Sequence, residues 1–151
     1  MRIISGSAGR RKIKVPKAVL RPTTDRTREA VFSILSQLVD GARCLDLFAG
    51  SGAVGMEALS RGAAECTFVE MNRACARVVE ENLKVFGLGG GKVVQADAIQ
   101  FVKRLHGEFD LVFADPPYKK GPADRDFVRE LLESDGLQGA MAEGGLFVGE
   151  V

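Results

Sequence analysis

The sequence of 151 residues has no tryptophan, one tyrosine (Tyr118) and one histidine (His106). His106 falls at the end of a predicted helix and reads as a surface residue, so chemistry built on an imidazole base is not indicated. The three cysteines, Cys44, Cys66 and Cys75, form no Cys-x-x-Cys pair and leave an odd count. That argues against a disulfide framework or a zinc centre. No metal site is expected, and Cys44 and Cys66 read as small core hydrophobes. No apolar run reaches the ~18 residues of a membrane helix, and Met1–Lys12 lacks a signal peptide's apolar centre. The chain reads as soluble and cytoplasmic, without membrane contact. Internal repeats and low-complexity segments are also absent, and Gly89-Gly90-Gly91 is a loose turn.

What is present is an ordinary globular balance, 46% hydrophobic and 27% charged, which excludes a disordered or fibrous chain. The length suits one domain. The net charge of +1 hides an asymmetry. Residues 1–28 carry nine Lys/Arg against Asp25 alone, a balance of +8, and the rest carry twelve basic against nineteen acidic residues, a balance of −7. A basic arm on an acidic body points to a phosphate-rich partner, with a solvated tail as the alternative.

A helix is predicted over Asp25–Leu38, with Ala30, Ile34 and Leu38 as its apolar stripe, Val31 and Leu35 alongside, and Thr24 or Asp25 as cap. Short apolar runs then alternate with helical stretches. Strands are predicted at Cys44–Phe48, Cys66–Glu70, Lys92–Gln95, Phe109–Ala114 and Gly145–Val151. Helices are predicted through Arg61, over Asn72–Phe86, near Ile99–Leu105 and over Asp124–Glu133. Strict alternation implies βαβ units, hence an α/β fold with a mostly parallel sheet covered by helices on both faces. Phe86 and Phe101 read as core.

Ligands of such sheets bind beyond the carboxyl ends of the strands. Carboxylates fall at these ends: Asp46, Glu70 and Asp115, with Asp97 just past the third strand. The first turn, Gly50-Ser51-Gly52-Ala53-Val54-Gly55, fits G-x-G-x-x-G, and Glu70 follows Gly50 by twenty residues. Glycines let backbone N–H groups approach a nucleoside cofactor, and the acid can hold ribose hydroxyls. Asp46 would repel a pyrophosphate but attract a sulfonium and an α-ammonium, which favours S-adenosylmethionine over a dinucleotide. The fourth strand runs into Asp115-Pro116-Pro117-Tyr118. The prolines remove two donors and leave the Asp115 carboxylate and the Pro116 carbonyl as acceptors. That pair suits a planar –NH₂, with Tyr118 stacking on its ring. Lys119-Lys120 follow, suited to a substrate phosphate or to a solvated loop.

The runs Leu45–Ala63 (LDLFAGSGAVGMEALSRGA), Phe68–Asn72 (FVEMN) and Asp115–Tyr118 (DPPY) resemble class I S-adenosylmethionine-dependent methyltransferases that modify exocyclic amines. Ile4–Pro16 and Arg21–Leu35 (RPTTDRTREAVFSIL) are similar to the bacterial 16S rRNA guanine-N2 methyltransferases. The resemblance implies a Rossmann-like methyltransferase domain over 23–151 behind a basic N-terminal β-hairpin arm over 1–22, and it implies that C-terminal strands beyond the fifth are missing. It implies methylation of a guanine N2 amine in 16S rRNA, within the small ribosomal subunit or its assembly intermediate, by a monomer. By matched position, Asp46, Phe48, Ala49, Gly50, Ser51 and Gly52 would line the methionine end of S-adenosyl-L-methionine. Glu70 would hold the ribose, Met71 would pack on the adenine, and Asp97 and Ala98 would read its amine. Arg21, Thr23 and Thr24 would close over the cofactor. Asp115, Pro116, Pro117 and Tyr118 would be catalytic. Arg10, Arg11, Lys12, Lys14, Arg26 and Arg28 would bind RNA. The alternatives are a DNA adenine-N6 or protein glutamine methyltransferase and, further off, a dinucleotide-binding module.

Overall fold

Each strand of the sheet is built on a short apolar run. A computed structural model describes residues 1–17, 23–117, 121 and 123–149. In chain order the elements are α1 (Asp25–Leu35), β1 (Arg43–Leu47), α2 (Ala53–Ser60), β2 (Glu65–Glu70), α3 (Arg73–Phe86) and β3 (Gly91–Gln95), followed by α4 (Ala98–Lys103), β4 (Phe109–Ala114), α5 (Phe127–Leu132), α6 (Asp135–Ala140) and β5 (Met141–Gly149). The five strands are all parallel, in the order β3-β2-β1-β4-β5.

Alternation along β1 divides the core in two. Cys44 faces the cluster with Phe32, Met56, Phe68 and Val79, whereas Leu45 and Leu47 face the cluster with Ile99, Val102, Val112 and Leu131. Both faces of the sheet are covered, as a parallel sheet requires. Cys44 and Cys66 are register partners on adjacent strands and wholly buried, and burial pushes the Cys44 thiol up to about 12.

Residues 1–17 of the N-terminal arm are an ordered piece of the fold. The Ile3 N–H donates to Arg11 O (2.9 Å), and the Ile13 N–H to Met1 O (2.9 Å), around an antiparallel bridge between Arg2 and Lys12. Ile3, Ala8 and Ile13 are buried in the same cluster as α2, each isoleucine contributing about 1.5–3 kcal/mol of apolar burial. That excludes the solvated tail for the described part of the arm.

Three sequence expectations need correction. The stripe Ala30, Ile34 and Leu38 faces solvent: Ile34 is 82% and Leu38 57% exposed. The inward face of α1 is Arg28, Phe32 and Leu35, and a 3-10 turn, Ser36–Leu38, replaces its last turn. The stripe was displaced because a buried arginine occupies an apolar slot. The helix predicted over Asp124–Glu133 begins only at Phe127, and a separate α6 follows, capped by the Ser134 hydroxyl, which accepts from the Leu137 N–H. The fifth strand starts at Met141, with a register shift opposite Phe109 and Leu111.

Candidate functional site

The strand order reverses between β1 and β4, which places the ligand crevice at their carboxyl ends. Leu47 pairs with Val69 on one side and Ala114 on the other. The next residues, Phe48, Glu70 and Asp115, therefore lie abreast on neighbouring strands, roughly 4.8 Å apart per strand. Glu70 pairs in turn with Gln95, two residues before Asp97. The sheet thus brings Asp46, Phe48–Gly52, Glu70, Asp97 and Asp115 to one rim.

The glycine turn is held from the neighbouring strand. Gly50 and Gly52 both have positive φ (58° and 77°), where a side chain is strained. The Gly50 N–H donates to Glu70 Oε1 and the Asn72 N–H to Glu70 Oε2, each at 2.8 Å. The Ala49 N–H donates to Val69 O at 3.0 Å. Ser51 Oγ accepts from the Ala53 N–H and donates to Met1 Sδ (3.7 Å), so the arm touches the turn. Gly55 is fixed by packing: a Cβ there would lie 2.3 Å from Phe68 Cε2. Phe48 also has positive φ (57°) and meets Phe127 edge-on at 5.4 Å.

Asp46 is 4% exposed and, among the described residues, accepts one hydrogen bond, from the Gly55 N–H at 3.1 Å. Burial pushes its carboxyl up to about 8, and the charges of Asp115 and Glu70 add to the rise. A buried acid with like charges beside it suits a cationic ligand group. Asp97 caps α4 by accepting from the Gln100 N–H (3.1 Å), and Ala98 is buried behind it. Met71 is exposed beside Glu70. Cys75 lies buried in the first turn of α3, its N–H donating to Asn72 Oδ1.

Asp115 is half-buried at the end of β4, with Pro116 buried and Pro117 exposed. Tyr118, Lys119, Lys120 and Arg21 lie outside the described residues. Thr23 is half-buried, and Thr24 caps α1, its hydroxyl accepting from the Thr27 N–H at 3.1 Å. Among the described residues no cluster of His, Cys, Asp or Glu could hold a metal ion, and no helix is long and apolar enough to cross a membrane.

The basic residues separate. Arg10, Lys12 and Arg26 are exposed. Arg11 is exposed but turned onto α3, donating to Val85 O (3.0 Å) with its guanidinium over Phe86. Lys14 pairs with Glu81 at 3.3 Å in the open, an exchangeable contact. Arg28 leaves the expected RNA-binding set: it is 1% exposed, and its guanidinium is bonded to Arg2 O, Glu57 and Asp25. Its partner Glu57 is wholly buried and was not singled out in the sequence. The available signal was one charged residue in the otherwise uncharged helix AVGMEALS.

Residues 1–150 match the family described as conserved hypothetical protein 95. Ribosomal RNA small subunit methyltransferase D of Escherichia coli (strain K12) is 43% identical over 137 residues, covering 90% of this chain and 68% of that protein. A solved Escherichia coli structure described as a methyltransferase superposes with a TM-score of 0.83 at 40% identity, covering 100% of this chain and 81% of its own. A hypothetical protein of Thermus thermophilus gives a TM-score of 0.82 at 37% identity, covering 99% of this chain and 84% of that chain.

Proposed function

The chain belongs to the family described as conserved hypothetical protein 95, alongside ribosomal RNA small subunit methyltransferase D, and from that premise we propose that it methylates the exocyclic N2 amine of a guanine in small-subunit (16S) rRNA, using S-adenosyl-L-methionine. The observation that carries the cofactor reading is Asp46, a buried carboxylate with one N–H donor and like charges around it, an arrangement that a cation completes. Asp46 and Phe48–Gly52 would hold the methionine end, Glu70 the ribose, and Met71, Asp97 and Ala98 the adenine, with Arg21, Thr23 and Thr24 closing over them. The cofactor supplies an already activated methyl group, so the protein needs no strong base.

The protein's own part is positioning. The Asp115 carboxylate and the Pro116 carbonyl accept from the two N–H donors of the guanine amine. Pro116 and Pro117 offer no N–H to compete and stiffen the backbone that aims these acceptors. Positive charge developing on the nitrogen is stabilised by Asp115, and Tyr118 would stack on the base. Arg10, Arg11, Lys12, Lys14 and Arg26 would meet RNA phosphates, steering the acidic rim onto its target. The substrate fitted to this reading is the small subunit or an assembly intermediate, approached by a soluble cytoplasmic monomer.

The test is transfer of labelled methyl from S-adenosyl-L-methionine to undermethylated small subunits, with naked rRNA, duplex DNA and bulk protein in parallel. Label recovered as N2-methylguanine from the subunit is the expected result. Label on DNA or protein would overturn the substrate while keeping the chemistry, and failure to bind S-adenosylhomocysteine would overturn the cofactor.

A further inference from the structure

Glu57 takes no part in the chemistry above, yet the arm's Ile4–Ser5 backbone is bonded to it. Its Oε1 accepts from the Ile4 N–H at 2.8 Å and its Oε2 from the Ser5 N–H at 3.2 Å. Arg61 Nε donates at 2.9 Å from the C-terminal cap of α2, and Arg28 reaches it from α1 at 3.4 Å. One turn on, Ser60 repeats the pattern. Its hydroxyl donates to Ser5 O at 2.6 Å and accepts from the Ala8 N–H at 2.9 Å, while its carbonyl accepts from the Ser7 N–H at 2.8 Å. Gly6 seals the contact: a Cβ there would sit 1.8 Å from the Ser60 carbonyl oxygen, on backbone with φ +84°. The arm is therefore bonded to α2 through its own backbone.

That helix begins at the glycine turn. Glu57 is five residues past Gly52, about 7.5 Å along the axis at 1.5 Å per residue. We infer that Glu57, assisted by Ser60 and Gly6, is the positioning residue that holds the basic arm as a rigid extension of α2, so that Arg10 and Lys12 meet RNA at a fixed place relative to the cofactor turn. An arm already ordered incurs no ordering cost when RNA binds. The inference rests on the proposed reading of the arm as an RNA grip.

The decisive variant is Gly6→Ala, which can only be accommodated by lifting the turn off Ser60; Glu57→Gln, isosteric but uncharged, is its companion inside the helix. Hydrogen exchange at the Ile4, Ser5 and Ala8 amides reads the docking. The dissociation constants for undermethylated small subunits and for S-adenosylhomocysteine read the consequence. In Gly6→Ala the three amides should exchange at least ~10-fold faster. Subunit binding should weaken about tenfold with a flatter salt dependence, while S-adenosylhomocysteine affinity stays within about twofold, since no rim residue is altered and the glycine turn keeps its bonds to Glu70 and Val69, losing at most the long Ser51–Met1 contact. Released amides with unchanged subunit affinity would overturn the inference. So would cofactor affinity falling in step with subunit affinity, which is the signature of a merely structural role. Should Glu57→Gln fail to fold, Gly6→Ala decides alone. Wild-type protein that binds neither subunit nor S-adenosylhomocysteine would instead sink the proposed function.

Discussion

Asp46, in β1 and bonded to the first turn of α2, and Glu57, within α2 itself, are both buried carboxylates, and they are treated in opposite ways. Glu57 faces two arginines and two backbone donors, so its charge is matched within the fold. Asp46 has one donor among the described residues, Gly55, and its neighbours Asp115 and Glu70 carry the same sign. Burying charge without partners is costly, and a fold has no reason to retain such a residue for packing. The saturated carboxylate holds the molecule together; the unsaturated one fits the proposed role of meeting a cationic group of the cofactor.

The largest effect expected from breaking this contrast is at Glu57. Glu57→Ala would leave Arg28 and Arg61 without their buried counter-charge and the Ile4 and Ser5 N–H groups without acceptors, at a cost of about 3–5 kcal/mol in urea unfolding. A loss below about 1 kcal/mol would mean that water satisfies the cluster. Asp115→Ala comes next, with turnover on small subunits falling roughly 10²–10³-fold and S-adenosylhomocysteine binding kept; near-normal turnover would remove Asp115 from the mechanism.

Asp46→Asn should act on binding and stability in opposite directions. Cofactor affinity falls about tenfold or more, the worth of a charge-assisted contact. Stability changes with the opposite sign at high pH. Asp46 titrates near 8 when folded and near 4 when unfolded. Between those values the folded protein holds a proton that the unfolded chain has released. Wild-type stability therefore falls by a few kcal/mol as pH rises from about 4 to about 8 and is flat above. The Asn variant lacks that decline, and equal pH profiles for the two proteins would refute the assignment. Cofactor binding to wild type should strengthen over the same window, because the bound cation favours the anion. The smallest effect is at Lys14. Lys14→Ala loses an exposed pair with Glu81 and should change stability by less than about 1 kcal/mol, while flattening the salt dependence of RNA binding; an unchanged salt slope would take Lys14 out of the RNA grip.

The sheet was readable because its central strands carry apolar residues on both faces: β4 has the bounds expected, and β1 and β2 lie within one residue of them. The rim was readable too, since Asp46, Gly50, Glu70 and Asp115 mark four strand ends and turns in sequence order. What could not be read was pairing at a distance. Arg28 was placed in the RNA-binding set because its partner Glu57 lies 29 residues away on another helix, and the apolar spacing of Ala30, Ile34 and Leu38 pointed α1 onto the wrong face. The approach of α6 to α4 was equally hidden. Gly136 is needed there because a Cβ would fall 2.0 Å from Val102 O, and nothing local in the sequence announces it.

The reversal of strand order between β1 and β4 also bears on how the chain assembles. Strands β1, β2 and β3 pair with successive neighbours, so the glycine turn and Glu70 are built from one contiguous stretch, Arg43 to Gln95. Setting β4 beside β1 joins residues 67 apart, where the Arg43 N–H meets Asp110. Contacts between such distant residues carry a larger loop-closure cost and form late. Asp46, the glycine turn and Glu70 are thus brought together by pairings between consecutive strands, whereas Asp115 reaches the same rim only through the long-range pairing of β4 with β1.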